Sequence, residues 1–327
     1  MAKSQRPAMA SVEDFRREWL SESTSVEAHT SGSTGIPKTI LLCKDDMRAS
    51  ARATISFFGL TSDSVIASPL SVDYIAGKMM VVRACEASCR LIELPVSNEI
   101  HIPEDVPYID LMPVVPTQIA SLLSQPELAG KVRNVLVGGA APSDEDCRRL
   151  SETGYKVYIS YGMTETCSHI ALARGNDSAR VFRAMPGVTF STDCDNRLII
   201  NAPAFTFGTL KTNDIVELVS PTEMKWRGRA DGVINSGGIK LLPEELEALY
   251  SPYLADRQYF VKGVADSRWG SAVALVIEAE EAECESIANL LRDNITDHRR
   301  LPKHIIAVDS LPRTANGKIR KQVEIYP

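Results

Sequence analysis

Near its start the chain runs Thr30-Ser31-Gly32-Ser33-Thr34-Gly35-Ile36-Pro37-Lys38, which concentrates hydroxyls, glycines and one lysine in a segment suited to polyphosphate. Gly32 and Gly35 let backbone N–H groups come close to phosphate oxygens. Ser31, Ser33 and Thr34 add hydroxyl donors, and Lys38 adds a positive charge. The spacing is not that of a Walker A loop, where Gly-x-x-x-x-Gly-Lys-Ser/Thr opens a helix: Pro37 denies Ile36 an easy helical conformation. A Ser/Gly/Thr run taken alone is as often an ordinary surface loop, so the nucleotide reading needs support elsewhere.

Four further segments supply it. Tyr161-Gly162-Met163-Thr164-Glu165-Thr166 follows the apolar run Lys156-Val157-Tyr158-Ile159-Ser160, which predicts a loop at the carboxyl end of a strand, where open α/β sheets bind ligands. Then come Lys211-Thr212-Asn213-Asp214, the stretch Arg227-Gly228-Arg229-Ala230-Asp231 continuing to Ser236-Gly237-Gly238-Ile239-Lys240, and Pro312-Arg313-Thr314-Ala315-Asn316-Gly317-Lys318. In this order the five segments resemble the adenylate-forming superfamily of acyl-CoA synthetases, luciferases and peptide-synthetase adenylation domains. The resemblance runs over residues 26–321. Within it, Tyr161-Gly162-Met163-Thr164-Glu165-Thr166-Cys167-Ser168-His169, Met185-Pro186-Gly187-Val188 and Val233-Ile234-Asn235-Ser236-Gly237-Gly238 are similar to the o-succinylbenzoate–CoA ligase subfamily of menaquinone biosynthesis.

The resemblance implies a reaction in which a carboxylate attacks the α-phosphate of ATP, pyrophosphate leaves, and a thiol then displaces AMP. Such chemistry rests on positioned cations and N–H donors more than on a protein nucleophile. By resemblance, Thr30, Ser31, Gly32, Ser33, Thr34, Gly35 and Lys38 hold the β- and γ-phosphates, Thr164 meets the α-phosphate, and Glu165 is the Mg2+ ligand, a hard oxygen donor beside a triphosphate. Tyr161 offers a face to adenine, Asp214 accepts from the ribose hydroxyls with Arg229 beside it, and Gly138 and Gly139 lie against adenine and acyl group. Lys318 is the lysine that bridges carboxylate and α-phosphate, and Asp231 is the hinge of the lid. Gly237, Gly238 and Lys240 face coenzyme A. Tyr74 stands where many relatives carry a histidine beside the acyl group, and Thr166, Ser168 and His169 are expected near the substrate because they follow Glu165 directly. A lone histidine is as often structural.

The whole chain sets bounds on this reading. Its 327 residues and 44% hydrophobic content suffice for one large and one small domain, and a net charge of -6 argues against nucleic acid as a partner. No long apolar run predicts membrane insertion, and the polar start lacks the core of a signal peptide. The 7 cysteines, without paired spacing, suit reduced thiols, so the expectation is a cytoplasmic enzyme acting on a small carboxylic acid, with a homo-oligomer left open. Three alternatives remain at this point: a CoA ligase of another aryl or acyl acid, a non-catalytic ligand-binding relative, and an adenylation enzyme serving a carrier protein. Lys38, Glu165, Asp214, Arg229 and Lys318 together speak against the second.

The elements that must position these residues read as an α/β protein. Apolar runs at 65–67, 90–94, 108–112, 132–137 and 156–160 alternate with helical stretches at 74–87, 114–124 and 143–153, which predicts a mainly parallel sheet. Short strands broken by turns over 188–235 resemble the family's antiparallel subdomain. Strands at 258–264, 272–279 and 304–309 with helices starting at Pro243 and near Cys284 predict a small α+β lid. The expected domains are therefore 1–230 and 231–327. Relatives carry a longer stretch before the phosphate loop, so part of one subdomain and of the acyl pocket wall is expected to be missing.

Overall fold

The structure, a computed structural model of the chain, describes residues 10–30, 38–254, 257–313 and 319–321. It opens with α1 (Val12–Leu20), capped by Ser11, whose hydroxyl accepts the Asp14 N–H, and burying Phe15 and Trp19. The antiparallel hairpin of β1 (Ser25–Thr30) and β2 (Lys38–Cys43) sets Thr30 opposite Lys38. Next comes α2 (Lys44–Phe58), which ends at Gly59 in the left-handed conformation, φ 65°.

The alternating part follows. β3 (Val65–Ser68), α3 (Ile75–Ala87) and β4 (Arg90–Glu93) form a parallel unit. β5 (Met112–Val114), α4 (Ile119–Leu123), β6 (Val135–Val137), α5 (Asp144–Glu152) and β7 (Val157–Met163) continue it, with β5, β6 and β7 parallel neighbours. β3 is tied to the approach of β5 by the Ala67 N–H on the Leu111 carbonyl at 3.1 Å. Here the sequence reading is corrected: the strand expected over 108–112 lies at Met112–Val114, and the helix expected from 114 begins at Ile119. Pro116 forces Val115 into an extended conformation, ψ 158°, and a 3₁₀ turn intervenes.

β8 (Ser168–Arg174) folds back antiparallel on β7, and β9 (Val181–Ala184), β10 (Thr189–Thr192), β11 (Arg197–Ala202), β12 (Gly208–Ser220) and β13 (Glu223–Arg229) extend the antiparallel part. The result is a nine-stranded sheet in the order β10-β11-β12-β13-β9-β8-β7-β6-β5. A second correction concerns Tyr161, Gly162 and Met163, which were expected in a loop and instead continue β7 through pairing with β8. The register shifts at Gly162, where a Cβ would lie 2.1 Å from the Ser168 carbonyl oxygen, so only glycine fits that bulge.

A turn at Ala230–Gly232 leads into a separate sheet. β14 (Ile234–Ser236), β15 (Ile239–Leu241), α6 (Pro243–Leu254), β16 (Tyr259–Asp266), β17 (Gly270–Glu278), α7 (Cys284–Asn294) and β18 (His304–Val308) form it, with strand order β15-β14-β17-β16 and β18 parallel to β17. Ile234, Leu246, Tyr250, Leu275, Ile287 and Leu291 belong to a core of its own. Among the described residues no helix is long and apolar enough to cross a membrane.

Candidate active site

Cross-strand register assembles the centre of the site. Asp214 on β12 stands opposite Arg229 on β13, and its side chain, in a residue only 5% exposed, receives the Tyr161 hydroxyl at 2.7 Å on Oδ2 and the Trp226 Nε1–H at 3.0 Å on Oδ1. Arg229 Nη1 lies 3.8 Å from Oδ1, while its fork binds Asp231 through Nε at 2.9 Å and Nη2 at 2.8 Å. That bidentate pair raises the Arg229 pKa and lowers that of Asp231. Burial, then the neighbouring Asp214 charge, keeps Tyr161 protonated far above its ordinary value. A carboxylate has about four acceptor positions, so one lone pair on each Asp214 oxygen stays open to a ligand hydroxyl. The Tyr161 ring meets Phe182 edge-on at 5.8 Å between centroids.

Beyond β7, Thr164–Thr166 form a single 3₁₀ turn against which β1 packs. Glu165 is exposed, with no partner for its carboxylate among the described residues; Thr164 is half-buried. Thr166 is the reverse of an open contact: it is fully buried and its hydroxyl is committed to the Met163 N–H and to the Met163 and Ser168 carbonyls at 2.8–3.0 Å. It shapes the turn and offers nothing to a ligand. Gly138 and Gly139 follow β6; Gly139 takes φ 82°, and a Cβ on Gly138 would lie 2.5 Å from Ser160 Oγ.

Behind that turn lies a buried polar chain. Arg83 on α3 is 1% exposed and, among the described residues, has no carboxylate bonded to it. Its contacts are weak: the thioether Met80 Sδ at 3.5 Å, and long ones to Ser168 Oγ at 3.5 Å and His169 Nδ1 at 3.4 Å, with Nε unpartnered among the described residues. Burial draws its pKa down to about 9, which still leaves it charged at neutral pH. His169, 4% exposed, places Nε2 3.0 Å from Thr54 Oγ1 on α2. Cys167 and Ser168 both take positive φ, 51° and 88°, uncommon for residues with side chains and here fixed by the bulge and the Thr166 bonds. Tyr74 is the half-buried residue just before α3.

In the C-terminal part Gly237 and Gly238, φ 57° and 82°, make the two-residue turn between β14 and β15, which needs positive φ at both positions. Lys240 is exposed on β15, opposite Asn235. Ser31, Gly32, Ser33, Thr34, Gly35 and Lys318, with the side chains of Thr30 and Lys38, lie outside the described residues.

A model of the AMP-binding enzyme family matches residues 7–194, and one of the AMP-binding enzyme C-terminal domain matches residues 245–318. The chain belongs to the AMP-binding enzyme family. It is an AMP-forming acid–CoA ligase of the adenylate-forming class. A solved acyl-CoA synthetase (AMP-forming)/AMP-acid ligase II-like protein from Dyadobacter fermentans is 32% identical, with TM-score 0.62, and the match covers 98% of this chain and 95% of that one. The 2-succinylbenzoate–CoA ligase of Listeria monocytogenes is 26% identical over 334 residues, 93% of this chain and 70% of the relative. The o-succinylbenzoate CoA synthetase of Bacillus subtilis, solved with its acyl-adenylate intermediate, shares the fold at TM-score 0.78 and 22% identity, over 94% of this chain and 70% of that one. For this AMP-binding enzyme, sequence reasoning missed Trp226 and Arg83. The signal for Arg83 was there: a charge inside the apolar helical run Met79-Met80-Val81-Val82-Arg83-Ala84.

Proposed function

We propose that the acid this ligase activates is a dicarboxylate of the o-succinylbenzoate type, joined to coenzyme A through an acyl-adenylate made from ATP. The observation that carries the reading is Arg83, a buried guanidinium against Ser168 and His169, just past the Thr164–Thr166 turn, with no acid bonded to it among the described residues. Burying an ion costs on the order of several kcal/mol, which a partner anion offsets. An aromatic carboxylate supplies that partner while the succinyl carboxylate goes to the α-phosphate. The subfamily wording around Glu165 and the Listeria relative point the same way.

In this reading Asp214, oriented by Tyr161 and Trp226, receives the ribose hydroxyls with Arg229 alongside, the Tyr161 ring and Gly138-Gly139 line the adenine, and the 30–38 segment takes the outer phosphates. Glu165 suits Mg2+: it is an exposed hard oxygen donor without a partner among the described residues, and magnesium beside a triphosphate is held largely by water and phosphate. Bound there, magnesium would offset phosphate charge. Thr164 would contact the α-phosphate. Residues 1–230 act as body and 231–327 as a lid swinging about Asp231, bringing Lys318 for adenylation and then Gly237, Gly238 and Lys240 to the thiol of coenzyme A. Seven free cysteines suit a cytoplasmic place in menaquinone biosynthesis.

Pyrophosphate release with 2-succinylbenzoate and with its analogue lacking the aromatic carboxylate tests the substrate. The diacid should be favoured about tenfold or more in kcat/KM, the worth of one charge-assisted hydrogen bond. Equal constants, or preference for a monoacid such as indoleacetate, which names another relative 26% identical over 334 residues, would remove the proposal.

A further inference from the structure

We infer that His169 is a positioning residue: it receives one Arg83 donor on its Nδ1 lone pair and so aims the guanidinium at the second carboxylate of the substrate. The inference rests on the dicarboxylate reading above and adds a residue to it. His169 itself is shut away from substrate, since both ring nitrogens are engaged and the residue is 4% exposed.

Donor and acceptor capacities fix the direction of every link. Arginine has donors only, so the Nδ1 atom 3.4 Å from Arg83 Nη2 must be the unprotonated nitrogen. The proton of a neutral ring then sits on Nε2 and is given to Thr54 Oγ1 at 3.0 Å. Thr54 passes its own hydroxyl proton to the Ser50 carbonyl at 3.0 Å, and Ser50 Oγ donates to the Cys167 carbonyl at 2.8 Å. The chain thus ties α3 through β8 to α2 and back to the turn that bears Ser168. A protonated His169 would set donor against donor beside a guanidinium. Burial first, and Arg83 second, hold its pKa well below the ordinary 6.5. What His169 leaves open is telling: among the described residues Nε of Arg83 has no partner, Ser168 Oγ is at the long limit and Met80 offers only a weak thioether acceptor, so the guanidinium is held in place yet unsatisfied.

The test compares His169→Leu, which removes the acceptor, with His169→Gln, which restores a side-chain oxygen. In His169→Leu the diacid-to-monoacid ratio of kcat/KM should fall about tenfold, carried by the KM for 2-succinylbenzoate rather than by kcat, and His169→Gln should regain most of it. An unchanged ratio, a loss confined to kcat, or no recovery by Gln overturns the inference. Arg83→Met separates this from the underlying reading: wild type should depend on the second carboxylate and Arg83→Met should lose that dependence, and if wild type shows none, or the variant keeps it in full, the dicarboxylate reading fails instead. Nitrogen NMR of the wild-type ring reads the arrangement without any substitution. It should show a neutral Nε2–H tautomer with no titration near 6.5, and a protonated Nδ1 or an ordinary titration would overturn it.

Discussion

Asp214 earns its place by what is done to it. A free carboxylate at a turn would rotate, whereas here Tyr161 holds one oxygen and Trp226 the other, so the remaining lone pairs point in set directions. Trp226→Phe keeps the ring and deletes one donor. If Asp214 holds the ribose as proposed, the substitution should raise the KM for ATP about three- to tenfold with kcat nearly unchanged, because such a contact would be made in ground and transition states alike. Steady-state kinetics with ATP varied decides the matter, and an unaltered KM would detach Trp226 from the nucleotide. Asp214 was legible in sequence from its Lys-Thr-Asn-Asp context. Trp226 was not, since what makes it matter is a pairing twelve residues along, where the β12–β13 hairpin sets Val216 opposite Trp226 and Asp214 opposite Arg229. Likewise Thr166 and His169 read as ligand contacts by adjacency to Glu165, and the fold turned their side chains inward.

At the level of elements, alternation located the βαβ rhythm and, to within a few residues, β16, β17 and β18 of the C-terminal sheet, but not the short strands β14 and β15 that flank the Gly237-Gly238 turn. It did not locate α2, whose buried face includes Met47, Ser50, Ala51 and Thr54 and so carries no strong apolar stripe. It also broke off β7 too early, because Gly162 reads as a turn residue when it is the bulge that lets the strand go on. That bulge has a measurable cost if filled. Gly162→Ala would bring a Cβ within 2.1 Å of Ser168 O and 2.6 Å of His169 Cα, both main-chain atoms that cannot swing aside. We expect a loss of about 1–3 kcal/mol and a melting point lower by several degrees. Gly130→Ala, where nothing lies within 4 Å, is the control, and equal melting points for the two would refute the close approach.

Across the whole molecule the two sheets meet where α6 comes against β13. Glu244, in the first turn of α6, is half-buried, with its Oε2 atom shut off from solvent and unpartnered among the described residues, and Gly228 makes room for it: a Cβ there would lie 2.5 Å from that oxygen. Lys321 stands 4.0 Å from Oε1 but spends its direct bonds on Glu247, at 2.7 Å to each oxygen. Burial therefore wins over Lys321, and the Glu244 pKa is raised above 4.5. The sign follows from proton counts. Between 4.5 and the folded value the native protein keeps a proton that the unfolded chain has released, so stability falls as pH rises through that window and stays lower above it. Glu244→Gln imitates the protonated side chain. It should melt higher than wild type near neutral pH, and the gap should close as pH drops below 4.5. Calorimetry at both ends of the range reads this directly: a gap independent of pH, or a Gln variant that melts lower at neutral pH, would mean that Lys321 outweighs desolvation at this seam.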